Sequence, residues 1–211
     1  STTDGPLGDF SIREKNFLGK GQDLRFGATV SGRTQQYDIS FTEPYLFDRD
    51  LAGGVDLFRT TTDNQDSSSF DETNTGFSLR LGYPLAEHWR QRLNYTFQNT
   101  NISQVPSTAS RFIREQEGRT NTSLLGHEIS YDTRDSRLSP TTGHIIRMNN
   151  DIAGLGGNVR FLRNRLKATQ YFSLADEWVF SVEGEGGHMV GLGKKVRIAD
   201  RFFLGGDSLR G

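Results

Sequence analysis

The sequence has 211 residues, enough for one sizeable all-β domain or two small ones. Its 25 Lys and Arg stand against 26 Asp and Glu, a formal net charge of −1 with no basic block, which excludes the electrostatic footprint of a nucleic-acid binder. With no Cys there is no disulfide scaffold and no thiolate metal site, and the four His show no metal-ligand spacing.

No apolar run approaches the roughly 18 residues that a spanning helix needs. The first residues, STTDGPLGDF, have neither the basic start nor the apolar stretch of a signal peptide, so an exported chain of this kind is expected to be an internal piece. Mean hydropathy is −0.61, which reads as soluble. A β-barrel hides easily behind such a value, because only alternate strand residues must meet lipid.

Along the chain the dominant signal has period two. In DLRFGATVS the apolar residues are Leu24, Phe26, Ala28 and Val30; YDISFT puts Tyr37, Ile39 and Phe41 on one face. FSLRLGYPL sets Phe77, Leu79, Leu81, Tyr83 and Leu85 against Ser78, Arg80 and Gly82. The pattern continues through Trp89, Leu93, Tyr95 and Phe97, then Leu125, Ile129 and Tyr131, then Leu162, Leu166, Phe172, Phe180 and Val182. Alternation of this length predicts strands. They fall near 8–17, 22–32, 34–44, 51–62, 75–84, 89–103, 122–132, 143–153, 158–174 and 178–191. Several exceed the usual five or six residues and approach the nine to eleven of a tilted membrane strand. The opposite faces carry Arg80, Arg163, Arg165, Lys167, Glu183 and Glu185, which suit a wet lumen or, in a soluble sandwich, bulk water. The long connections, 63–75, 103–121 and the stretch after Val190, follow even-numbered strands and so share one end. Long loops at one end and short turns at the other describe an outer-membrane barrel.

Three stretches stand out from the alternation. In YDTRDSRLSPTTG, Asp132, Arg134, Asp135 and Arg137 crowd one turn, and Pro140 and Gly143 fix the backbone before the next strand. A solvated turn whose Asp and Arg side chains satisfy backbone groups and each other accounts for them. An enzyme would use Asp132 and Asp135 as a carboxylate pair, but neither neighbouring strand offers a nucleophile or a convincing base. FTEPYLFDRDLAGG sets Pro44 at a strand end, where a missing N–H costs little, followed by Tyr45 and Phe47, aromatics suited to a membrane boundary or to an ordinary hairpin. The third is the end of the chain, FFLGGDSLRG, where an arginine sits on a glycine-rich turn. GLGG (154–157) reads as a glycine-rich hairpin without the strand-to-helix context of a phosphate loop.

Together these residues resemble the C-terminal barrel of the BamA family, within the outer-membrane translocase superfamily. REKNFLGKGQDL resembles the family's N-x-L-G-x-G turn, and SFTEPYLFDRDLAGG its P-Y/F-turn-L-x-G-G element. YDTRDSRLSPTTGHIIRMNNDIAGLGG resembles the D-x-R-D, P-x-x-G, G-G signature, and FFLGGDSLRG the G-G-x-x-S-V/L-R-G-F/Y loop motif. The resemblance implies an all-β fold, an antiparallel up-and-down transmembrane β-barrel of about sixteen strands. Of these, residues 1–211 would hold about ten, the second to the eleventh, ending within the sixth extracellular loop, with no POTRA domains. It implies a bacterial outer-membrane location and a role in folding and inserting outer-membrane proteins through a lateral seam, without ATP, cofactor or catalytic residue. Expected partners are unfolded outer-membrane proteins, accessory lipoproteins reached through POTRA domains, and outer-membrane lipid, with no nucleic acid. The residues expected to matter are the lumen-loop motif Gly205, Gly206, Ser208, Leu209, Arg210 and Gly211, and the turn residues Asp132, Arg134, Asp135, Pro140, Gly143, Pro44 and Tyr45. A secretion or autotransporter-assembly pore of the same superfamily, or a passive porin, would share the barrel.

Overall fold

A computed structural model describes residues 8–64, 70–175 and 177–192. They form one ten-stranded sheet in which every strand pairs antiparallel with its sequence neighbour. The strands are β1 (Gly8–Phe17), β2 (Gln22–Val30), β3 (Thr34–Glu43), β4 (Ala52–Asp63) and β5 (Asp71–Pro84), followed by β6 (Trp89–Ser103), β7 (Gly118–Asp132), β8 (Gly143–Gly157), β9 (Phe161–Ala175) and β10 (Trp178–Gly191). All ten lie where the alternation places them.

Register carries the apolar pattern from strand to strand, so one face is continuous. The pairs Phe26↔Ile39, Ile39↔Leu57, Leu57↔Phe77, Phe77↔Phe97 and Leu79↔Tyr95 all sit on it. Leu166, Phe172 and Phe180 lie on the same face further round. The other face holds Arg80, Arg163, Arg165 and Glu183. The arrangement is inside-out for a soluble protein: Leu57, Leu79, Leu166 and Phe180 are all about half exposed, at 52%, 46%, 53% and 55%. Among the described residues, buried apolar side chains cluster only at Ala153, Val159 and Phe161, joined by Leu124 and Met189, with Ile102 and Ile145 buried elsewhere. A single layer with an apolar outer face and a polar inner one is stable only where lipid covers the first and water the second.

Several strands are longer than expected. β5 begins at Asp71, and pairing with β4 continues to Asp63↔Asp71, so the expected loop 63–75 shrinks to 64–70. β7 begins at Gly118, β8 runs on through the GLGG stretch, and β9 starts at Phe161, leaving a tight connection at 158–160. The reason is chemical. Beyond Phe77 and Phe97 the outer face turns polar, with Thr75↔Asn99↔Asn121 and Thr73↔Asn101 in register, so alternation disappears while the backbone ladder persists. Asn99 Nδ2 donates to Asn121 Oδ1 at 2.7 Å across that stretch. The 104–117 connection holds one helical turn, α1 (Arg111–Arg114), whose Ser110 caps the N–H of Ile113.

Candidate functional site

The motif turns lie at the short-turn end. At the 133–142 turn, Arg134 donates from Nε and Nη2 to the two oxygens of Asp132 at 2.9 and 2.8 Å, and from its backbone N–H to Oδ1 at 3.1 Å. Its guanidinium also reaches the Tyr171 side chain on β9. Asp135 accepts from the backbone N–H groups of Ser136, Thr141 and Thr142 at 3.0, 2.9 and 3.1 Å, and from the Thr141 hydroxyl. These donors hold its carboxyl far below the usual carboxylate range. Asp132 and Asp135 therefore serve different partners and are not an acid–base pair.

Gly143 is required where it stands. Its φ is +92°, and a Cβ there would lie 2.3 Å from the Thr133 carbonyl oxygen, so only glycine lets the returning chain pass so close. Pro140, half-buried, precedes the two residues that clasp Asp135, at a position whose missing N–H leaves no bond unmade. The turn is tied to its neighbour on the rim: His88 Nδ1 meets the Asp132 carbonyl at 3.0 Å, and the Asp132 N–H donates to the His88 carbonyl at 3.0 Å.

Pro44 and Tyr45 occupy a second turn at the same end. The Tyr45 N–H donates to Glu43 Oε1 at 3.0 Å, and Glu43 Oε2 accepts from Gln22 Nε2 at 2.8 Å, which ties this turn to β2. Phe47 and Asp48 adopt positive φ, both 56°, to reverse the chain. The outcome is two exposed aromatics, Tyr45 at 64% and Phe47 at 80%, beside Lys20 and Asp48. Amphipathic rings so placed suit a membrane–water boundary. The lumen-loop motif, from Gly205 to Gly211, lies outside the described residues.

Sequence reasoning missed a device on the polar wall. Three glycines pair directly with a polar residue on an adjacent strand, Gly27↔Asp38, Gly54↔Arg80 and Gly126↔Asn94, and each lies under that neighbour's side chain. A Cβ at these positions would meet the neighbour at 2.8, 2.5 and 2.1 Å. Over Gly54, Arg80 donates to Asp56 at 2.6 and 3.1 Å, to Ser40 at 3.2 Å and to Thr42 at 3.0 Å, linking β3, β4 and β5. Further round, Arg163 Nε donates to Asp151 at 2.9 Å and Lys167 pairs with Glu183 at 2.9 Å. The signal available in the sequence was glycine at polar-face positions of the alternation. Among the described residues this wall binds its own charges to one another.

A one-layer antiparallel wall with lipid-suited and water-suited faces, joined by tight turns at one end, is the wall of a transmembrane β-barrel. Residues 16–211 match the Omp85 superfamily domain, and the chain belongs to that superfamily, whose barrels lie in the outer membrane. It is 29% identical over 205 residues to the outer membrane protein assembly factor BamA of Nitratidesulfovibrio vulgaris, covering 95% of this chain and 26% of that protein. It is 30% identical over 205 residues to the sorting and assembly machinery component 50 homolog of Xenopus tropicalis, of which it covers 43%. In fold it is similar to the crystal structure of BamA from Haemophilus ducreyi lacking POTRA domains 1-3, with a TM-score of 0.79, 20% identity, and coverage of 95% of this chain and 42% of that one. The chain thus spans between a quarter and a half of the proteins it matches.

Proposed function

We propose that this chain is part of the barrel of an outer-membrane protein assembly factor, which folds and inserts other β-barrels without ATP or a catalytic residue. In this reading the whole barrel has about sixteen strands, of which β1 to β10 are the second to the eleventh. An incoming unfolded outer-membrane protein adds its strands to an edge exposed at a lateral seam between the first and last strands, satisfying backbone groups that lipid cannot. Accessory lipoproteins would engage POTRA domains preceding the barrel. The observation that carries the reading is similarity along 95% of the chain to proteins of bacteria and animals whose names alike describe assembly. Within the barrel, the loop bearing Gly205, Gly206, Ser208, Leu209, Arg210 and Gly211 folds back into the lumen, and Arg210 pairs with a carboxylate of the wall. Arginine suits that task, since its planar fork grips a carboxylate at two points and stays charged at any working pH.

The test is reconstitution of the full-length parent protein in liposomes with an unfolded substrate barrel and no nucleotide. Folded, protease-resistant substrate is expected; none, in a correctly folded preparation, sinks the proposal. Arg210→Ala is expected to lower both barrel stability, by roughly 3–5 kcal/mol for a desolvated pair broken on one side, and substrate folding, with Arg210→Lys a partial rescue. Wild-type behaviour of the alanine variant in both assays would leave Arg210 a solvated loop residue.

A further inference from the structure

One row of the lipid-side face does not fit a wall that meets only lipid. Four residues stand in register across adjacent strands: His127 on β7, Asn150 on β8, Asn164 on β9 and His188 on β10, through the pairs His127↔Asn150, Asn150↔Asn164 and Asn164↔His188. Apolar residues flank the row along each of the two middle strands. Met148 and Ile152, 42% and 43% exposed, lie on either side of Asn150, and Leu162 and Leu166 on either side of Asn164. The row is therefore embedded in the apolar face and is not the polar margin at its edge.

Its hydrogen-bonding capacity is mostly unspent. Asn150 Nδ2 donates to Asn164 Oδ1 at 2.6 Å. That leaves one acceptor oxygen on Asn150, one amide group on Asn164 and both imidazoles without a bond among the described residues. Acyl chains offer nothing to these groups, and polar side chains at such depth are costly enough to imply a partner. Beside the row the wall is low: Gly184 and Gly186 face the same side of β10 with nothing near where a Cβ would stand, which lets a neighbour approach closely.

We propose that this row is a lateral self-association site, and that its occupant is a second copy of the same wall. The row reads His–Asn–Asn–His in both directions, the self-complementarity that a two-fold interface requires. An axis along the membrane normal between Asn150 and Asn164 sets the amide pair of one copy on that of the other, free oxygen toward free amide group. Because barrel strands lean by about 35–45°, the two rows cross at the amides, with the imidazoles on the flanks. Taking the sixteen-strand count proposed above, β7 to β10 lie nearly across the barrel from the seam, so the pairing leaves the seam clear.

The experiment uses the full-length parent protein in bilayers of phosphatidylethanolamine and phosphatidylglycerol, with self-association measured by fluorescence energy transfer between labelled copies over a dilution series. Folding is checked independently by heat-modifiability on gels. Wild type is expected to associate reversibly. Asn150→Leu and Asn164→Leu, both compatible with a lipid-facing wall, are expected to weaken association about 3- to 30-fold, the range for hydrogen bonds between membrane segments, while Met148→Leu leaves it unchanged. In a cysteine-free background, Asn164→Cys is expected to give a disulfide-linked dimer in membranes and Phe77→Cys none. Wild type that stays monomeric at all densities, asparagine variants that associate like wild type, or Asn164→Cys cross-linking to a different protein would each overturn the proposal. Substrate folding is not part of the readout, so failure here and failure of the assembly reading are separate results.

Discussion

Arg80 and Gly54 show how a charge is kept on a barrel wall. The guanidinium lies flat because the residue beneath it has no side chain, and it reaches Asp56, Ser40 and Thr42 at once. Arg80→Ala is expected to destabilise the folded barrel by roughly 1–2 kcal/mol, charge-assisted bonds discounted for lumen water. Gly54→Ala pushes the arginine off its seat and is expected to cost no more than that. The double variant should cost less than the two singles together, because both act on one contact. Strict additivity in urea unfolding of the full-length protein would refute the shared seat. Asp135 offers a pH test. Its folded pKa is depressed below the ordinary 3.8 by the N–H and hydroxyl donors around it, so its contribution is fully present above about pH 4 and fades as pH falls further. Asp135→Asn is expected to flatten that acid limb of the stability curve; an unchanged limb would mean the turn does not couple to unfolding.

At the level of whole strands, the alternation announces each one and says little about its ends. FSLRLGYPL makes β5 legible from Phe77 to Tyr83, because lipid demands an apolar residue at every second position there. From Asp71 to Thr75 the demand lapses and the side chains turn to Thr, Glu and Asn, yet the hydrogen-bonded ladder continues. The same limit applies to the sites. The D-x-R-D turn is visible in sequence because Asp and Arg crowd together, whereas the pairing of Asp56 with Arg80 depends on register between strands 24 residues apart and could not be read locally. The faces themselves give a direct test. Leu79→Arg is expected to cost about 2–4 kcal/mol near the bilayer midplane, while Ser78→Arg, one position away and facing the lumen, is tolerated. Equal costs in a lipid-vesicle folding titration would remove the assignment of faces.

For the ten-stranded sheet as a whole, strand pairing and a lipid-covered face take the place of a large buried core. Among the described residues β1 and β10 do not pair, so the ten strands present two open edges together with a broad apolar face. Residues 1–211 alone are expected to aggregate in water or to remain soluble only in detergent, since bare edges recruit further strands and apolar faces recruit each other. A monodisperse, detergent-free monomer by analytical ultracentrifugation would contradict the inside-out wall. The strands also outlast the membrane they cross. Beyond Phe97, β6 runs on from Gln98 to Ser103 with its partners still in register. At about 3.3 Å per residue and the usual lean, that stretch stands roughly 15 Å above the acyl chains. The 104–117 connection thus rides on stiff stilts. Anything arriving from that side meets the loop tips first and, beneath them, a fence of Thr and Asn whose spacing is set by strand register, which substitutions at the tips leave in place.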